Sequence, residues 1–120
     1  MIVGASVIDL HIHGSQSLKA KRGVVRSIVQ RVRNRFNVSV AEIGGQDTWQ
    51  LAVLGITAAG SDEVTVRRVL DRVGDFIENL HLAEVGAVDT CVVELPHEDP
   101  LCTDDPEDMG DSQDPDTEAP

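Results

Sequence analysis

From Ile2 to His13 apolar and polar positions alternate, with Ile8, Leu10 and Ile12 on one side and Asp9, His11 and His13 on the other, the period of a half-buried strand. Gly14-Ser15-Gln16-Ser17 supplies turn chemistry, and the Ser17 hydroxyl is placed to accept from the first free N–H groups of a helix. Over Leu18 to Phe36 the residues Leu18, Val25, Ile28, Val29, Val32 and Phe36 return at helical spacing and form one apolar stripe; the rest of that helix is basic. Val38 to Ile43 reads as a short strand, Gly44-Gly45 as a turn able to take positive φ, and Thr48 to Ala58 as the hairpin partner. Ser61-Asp62-Glu63 offers a cap and acids for a second helix, whose stripe Val66, Val69, Leu70, Val73, Ile77 and Leu80 runs to about His81. Val85 to Leu95 is a last strand, ended by Pro96.

The order β-α-β-β-α-β predicts a ferredoxin-like, split βαβ fold of the α+β class: a four-stranded antiparallel sheet with two helices on one face. Right-handed crossovers leave the other face uncovered. That face is expected to carry Val3, Val7, Asp9, His11 and His13 from the first strand and Trp49, Leu51 and Val53 from the third. It is more apolar than a solvated sheet face should be. Val7, His11, Trp49, Leu51 and Val53 are therefore expected to form an interface, most simply with a second copy of the chain in a homodimer.

A chain of 120 residues holds one domain, placed at residues 1–95, followed by a tail over 96–120. The apolar share of 41% is almost entirely aliphatic, with one Trp, two Phe and no Tyr, so stacking surfaces are scarce. No apolar run approaches the roughly 18 residues of a membrane span and no secretory signal opens the chain, so a cytoplasmic location without a membrane partner is expected. Cys91 and Cys102 lack CxxC spacing and read as reduced and incidental. The net charge of −11 argues against nucleic acid only until it is divided along the chain. Residues 1–95 hold all ten bases against eleven acids, while 96–120 hold ten acids and no base. Such a tail buries too little to offset its ordering entropy; it is expected to be disordered and to compete with RNA for the basic helix.

Lys19, Lys21, Arg22, Arg26, Arg31, Arg33 and Arg35 place seven of the ten bases on the first helix, and no acid lies between Asp9 and Glu42. At about 100° per residue Lys19, Arg22, Arg26 and Arg33 share one flank of the stripe and Lys21, Arg31 and Arg35 the other. Ser17, Lys19, Lys21, Arg22, Arg26, Arg33 and Arg35 are the expected phosphate contacts, binding RNA with the salt sensitivity of counterion release. The plainer alternative is a solvated face bridged to Asp71, Asp75 or Glu78 of the second helix. The Gly14–Ser17 turn presents N–H groups to an anion or merely connects strand to helix. His11 and His13 bind a metal only if a third ligand joins them; beyond the neighbouring Asp9 none is visible, so neither metal nor cofactor is expected. Trp49 alone is too little aromatic surface for a stacking platform. No nucleophile with a base, buried carboxylate pair or phosphate-cradling loop is present, so catalysis is not expected.

The run Ser17-Leu18-Lys19-Ala20-Lys21-Arg22, the run Arg33-Asn34-Arg35-Phe36-Asn37-Val38-Ser39-Val40-Ala41-Glu42, then Asp47-Thr48-Trp49-Gln50 and Leu54-Gly55, resemble the YlxP-like bacterial family of unknown function. The resemblance implies a ferredoxin-like fold and, through gene neighbourhoods rich in translation and ribosome-maturation genes, a role near the ribosome or RNA. It implies as contact candidates Ser17, Lys19, Lys21, Arg22, Arg33, Asn37, Glu42, Asp47 and Trp49, and no catalytic role. The chain departs from the family pattern at Gly23, where a base is common, at His13, where Pro is common, and in its long acidic tail.

The function expected is thus a non-enzymatic RNA- or ribosome-associated domain, with no preference for DNA inferred. A dimeric protein–protein interaction module is the alternative. A small-anion sensor or hydrolase using Ser15, Ser17 and Lys19 comes third.

Overall fold

The computed structural model describes residues 1–14, 16–45 and 48–97; expectations resting on Ser15, Asp47 and the acidic tail from residue 98 lie outside them. The elements follow in the order β1 (Ile2–His11), α1 (Leu18–Arg35), β2 (Ser39–Gly44), β3 (Leu51–Gly60), α2 (Glu63–Leu80) and β4 (Glu84–Glu94). The strands form one antiparallel sheet in the order β2-β3-β1-β4, and both helices lie on one face of it, the ferredoxin-like arrangement. No helix among the described residues is long and apolar enough to cross a membrane.

The alternation of β1 settles which residues meet the helices. Ser6, Ile8, Leu10 and Ile12 are buried, as are Ala52, Leu54, Ile56 and Ala58 of β3. Onto them pack Val25, Ile28 and Val32 of α1 and Val66, Leu70, Val73 and Ile77 of α2, each set at helical spacing. Gly4 lets α2 approach β1: a Cβ there would stand 2.6 Å from Val66 Cγ1 and 2.8 Å from Leu70 Cδ1. Ser6 is tolerated in this layer because its hydroxyl meets that of Thr90, its cross-strand partner, at 2.8 Å.

Of the boundaries that differ from the sequence reading, two have a visible cause. β1 ends at His11 rather than His13, because Gly14 turns the chain at φ 80°, although Ile12 N–H still donates to Gln50 O at 2.8 Å. β3 starts at Leu51 rather than Thr48, because Thr48 N–H closes back on Gly45 O at 3.1 Å and commits those residues to the hairpin connection.

Both helix caps are as expected: Ser17 Oγ accepts from Ala20 N–H at 3.1 Å and Asp62 accepts from Thr65 N–H at 3.0 Å. The Thr65 hydroxyl also donates to the Asp62 carboxylate, and this bond, ahead of the N–H, holds the Asp62 carboxyl below its ordinary value. A depressed folded value means that the contribution to stability is complete above the unfolded pKa of about 3.9 and is lost as pH falls through the folded one. Asp62→Ala is therefore expected to lower Tm at neutral pH, with the gap from wild type closing in strong acid. A gap that persists unchanged in thermal melts at both extremes would contradict the cap.

Candidate polyanion interface

The seven bases of α1 have different fates, and the rotation of the helix decides them. Lys21 lies on the inward line with Val25, Ile28 and Val32 and is 1% exposed. Its ammonium donates to Gly45 O and, at 3.1 Å, to Leu51 O, and pairs with Glu42 Oε2 at 3.5 Å. That carboxylate oxygen is buried without a hydrogen bond, so the attraction of the nearby ammonium is what compensates it. Gly45 makes the cluster possible. It sits at φ 77°, and a Cβ there would stand 2.7 Å from Leu51 O, one of the two carbonyls the ammonium holds. Lys21 is thus corrected from phosphate contact to internal clamp between α1 and the β2–β3 connection, and Glu42, suggested as a contact by the resemblance, is the clamp's counter-ion. Its spacing, four residues before Val25 and seven before Ile28, was the signal that its assignment to the flank with Arg31 and Arg35 missed.

The remaining bases are exposed. Arg33 Nη2 donates to Val40 O on the edge strand β2 at 2.9 Å, and Arg31 Nε donates to Ser27 Oγ at 3.2 Å. Arg35 places its guanidinium 5.4 Å from the centre of the Phe76 ring, which itself meets Phe36 edge-on at 5.4 Å, linking the end of α1 to α2. Lys19, Arg22 and Arg26 make no ion pair among the described residues, and neither do Arg31, Arg33 or Arg35; the bridges to Asp71, Asp75 or Glu78 do not form. The α2 bridge that does form joins Arg67 to Glu63 at 2.9 Å. Ser17 is engaged as the helix cap, which leaves the anion-binding turn without its hydroxyl.

The face turned away from the helices carries many exposed apolar side chains, with Asp9 and Asp89 among them. Val7, Ile43, Trp49, Leu51 and Val93 are exposed, and His11 and Val53 are half-buried. Cross-strand register sets Val3 beside Ala59 and Val93, Val7 between Gly55 and Asp89, and His11 beside Leu51, while Asp9 pairs with Val53. Cys91, also exposed, lies opposite Ala5 on the same face.

At the end of β1 the structure joins His11 and His13 not with Asp9 but with Glu84, across the sheet from His11. His13 Nε2 donates to Glu84 Oε1 at 2.6 Å, and this bond, followed by the charge the ring carries when protonated, holds the Glu84 carboxyl below its ordinary value. Glu84 was not visible as a partner because strand pairing between distant segments has no local signature.

A family model described as "Protein of unknown function (DUF503)" matches residues 3–90. The chain is 44% identical over 78 residues to the "Uncharacterized protein YlxP" of Bacillus subtilis (strain 168), covering 65% of this chain and 85% of that one. Among solved structures it resembles the de novo designed protein Foldit4, at a TM-score of 0.45 and 18% identity, over 79% of this chain and 98% of that one. It also resembles a mutant form of SnoaB, a cofactor-independent oxygenase from Streptomyces nogalater, at a TM-score of 0.43 and 12% identity, over 82% and 97%.

Removing the Lys21 ammonium strands a buried carboxylate oxygen and two carbonyls. Lys21→Ala is expected to cost about 3 kcal/mol in urea unfolding, and adding Glu42→Gln to it should recover part of that loss. Equal stability of wild type and Lys21→Ala would contradict the clamp.

Proposed function

The chain belongs to the DUF503 family of proteins of unknown function, and we propose that it serves as a non-enzymatic RNA-binding domain that holds phosphates of ribosomal or other structured RNA on the outward flank of α1. The observation that carries this reading is the state of Lys19, Arg22 and Arg26: all three are exposed, on a helix with no acidic residue, and free of ion pairs among the described residues. Surface cations with nearby acids usually pair with them, whereas these stand ready to displace counterions from a polyphosphate.

The flank also has a suitable length. At 1.5 Å per residue, Lys19 to Arg33 spans about 21 Å, long enough to follow several phosphates of one strand. Arg33 extends the line while anchored to Val40 O at the β2 edge. Recognition of this kind rests on charge and shape. The uncovered sheet face has no run of aromatic residues on which bases would stack, so sequence-specific reading of single strands there is not part of the proposal.

The apolar sheet face favours a second element of the same reading, pairing of two copies back to back through Val7, Leu51 and Val53, with Trp49 at the rim. Exposed apolar side chains on each of the four strands, Ile43, Leu51, Val7 and Val93, are unusual on a protein that stays alone, even with Asp9 and Asp89 on the same face. Such a dimer leaves both α1 helices outward, so it is compatible with RNA on each copy.

Binding to a structured RNA, followed by fluorescence anisotropy over a salt series, tests the first element. The slope of log K against log salt should fall by about 2 in Arg22→Ala/Arg26→Ala, and Arg22→Glu/Arg26→Glu should abolish binding with the fold intact by circular dichroism. An unchanged slope, or no RNA binding at low salt, would overturn it in favour of a basic face that docks an acidic protein. Sedimentation tests the second: Val7→Glu should convert a dimer to monomers, and a monomeric wild type would refute pairing.

A further inference from the structure

We propose that His11, His13 and Glu84 form a binding site for one divalent transition-metal ion of the zinc class, at the end of β1 against the start of β4. The site lies on a different part of the molecule from the basic flank of α1 and does not depend on the RNA reading.

A β-bulge makes it. From Ile2↔Glu94 to Ile8↔Val88 the two strands keep one register, which, if continued, would set Val85 opposite His11. Between Ile8 and Leu10 the register shifts by one residue, with the extra residue in β4. Beyond the shift Val85 pairs with Leu10 on the helix side, and Glu84 comes opposite His11 on the uncovered side. His13, two residues beyond His11 on a chain still laddered through Ile12 N–H, projects to the same side. The two imidazole rings then lie with centres 4.1 Å apart, and one donor atom from each of the three side chains falls within 4.8 Å of the others.

The donor set selects the ion. Two imidazole nitrogens and one carboxylate oxygen suit zinc and its first-row neighbours, whereas calcium and magnesium prefer oxygen alone. Zinc holds such ligands at about 2.0–2.2 Å, so in a tetrahedral site donor atoms stand about 3.4 Å apart. His13 Nε2 and Glu84 Oε1, at 2.6 Å, need to part by about 0.8 Å, and the widest separation of 4.8 Å needs to close by about 1.4 Å. Side-chain rotation supplies this, since His13 and Glu84 are 63% and 65% exposed. The hydrogen bond that the ion displaces is open to water and correspondingly weak. Three protein ligands leave the fourth position to water or to a further side chain, and His81 and Glu78 line the same depression beside His13 and Glu84.

Equilibrium dialysis of the full chain against zinc chloride, with metal analysis, tests the proposal. One zinc should bind per chain, with micromolar affinity and no competition from excess magnesium. His13→Ala and Glu84→Gln should each weaken binding about tenfold or more, and His11→Ala/His13→Ala should abolish it. Zinc should also raise the Tm of wild type and leave that of the double variant unchanged, a readout independent of stoichiometry. Zinc bound equally by wild type and the double variant would show that other groups, such as Cys91 or the acidic tail, hold it, and would overturn the proposal. So would the absence of any zinc binding below millimolar concentration.

Discussion

The buried ammonium of Lys21 is the constraint on which the rest of the molecule depends. A lysine taken out of water needs its donors satisfied and its charge compensated, and here both demands are met by the β2–β3 connection: two backbone carbonyls, of Gly45 and Leu51, and the Glu42 carboxylate. Meeting them fixes the rotation of α1 about its own axis. With Lys21 turned inward, Val25, Ile28 and Val32 follow it onto the sheet, and Lys19, Arg22 and Arg26 are carried outward. The positive flank is the other side of a helix locked by a positive charge.

A similar division shapes the two faces of the sheet. One face gives its aliphatic residues to the helices, with Gly4 admitting α2 at close range. The opposite face keeps Val7, Leu51 and Val93 in the open because no further element among the described residues returns to cover them. Local irregularity then makes chemistry at the edge: a single extra residue in β4 decides whether valine or glutamate stands across from His11.

Much of this was legible from residue order alone. The alternation of Ile8, Leu10 and Ile12 and the stripes of α1 and α2 carried the element order, the class of fold and the buried sides of β1, α1 and α2, because period and amphipathicity are local properties. Lys21 was misplaced on a flank with Arg31 and Arg35, although its spacing of four and seven residues to Val25 and Ile28 sets it on the inward line. The Glu84 partnership was beyond reach for a different reason: it depends on register between strands more than seventy positions apart and on a bulge without a composition signal. The true starts and ends of β1 and β3 depended likewise on bonds of the turn, Thr48 N–H to Gly45 O among them.

The chain carries two lysines, Lys19 and Lys21, which makes the central claim directly measurable. Amine-specific labelling of the native protein, resolved by mass spectrometry, should modify Lys19 rapidly and leave Lys21 protected until the protein is unfolded, with added RNA then shielding Lys19. Comparable labelling of the two lysines in the native state would mean that α1 is not rotated as described, and both the clamp and the outward flank would fall together.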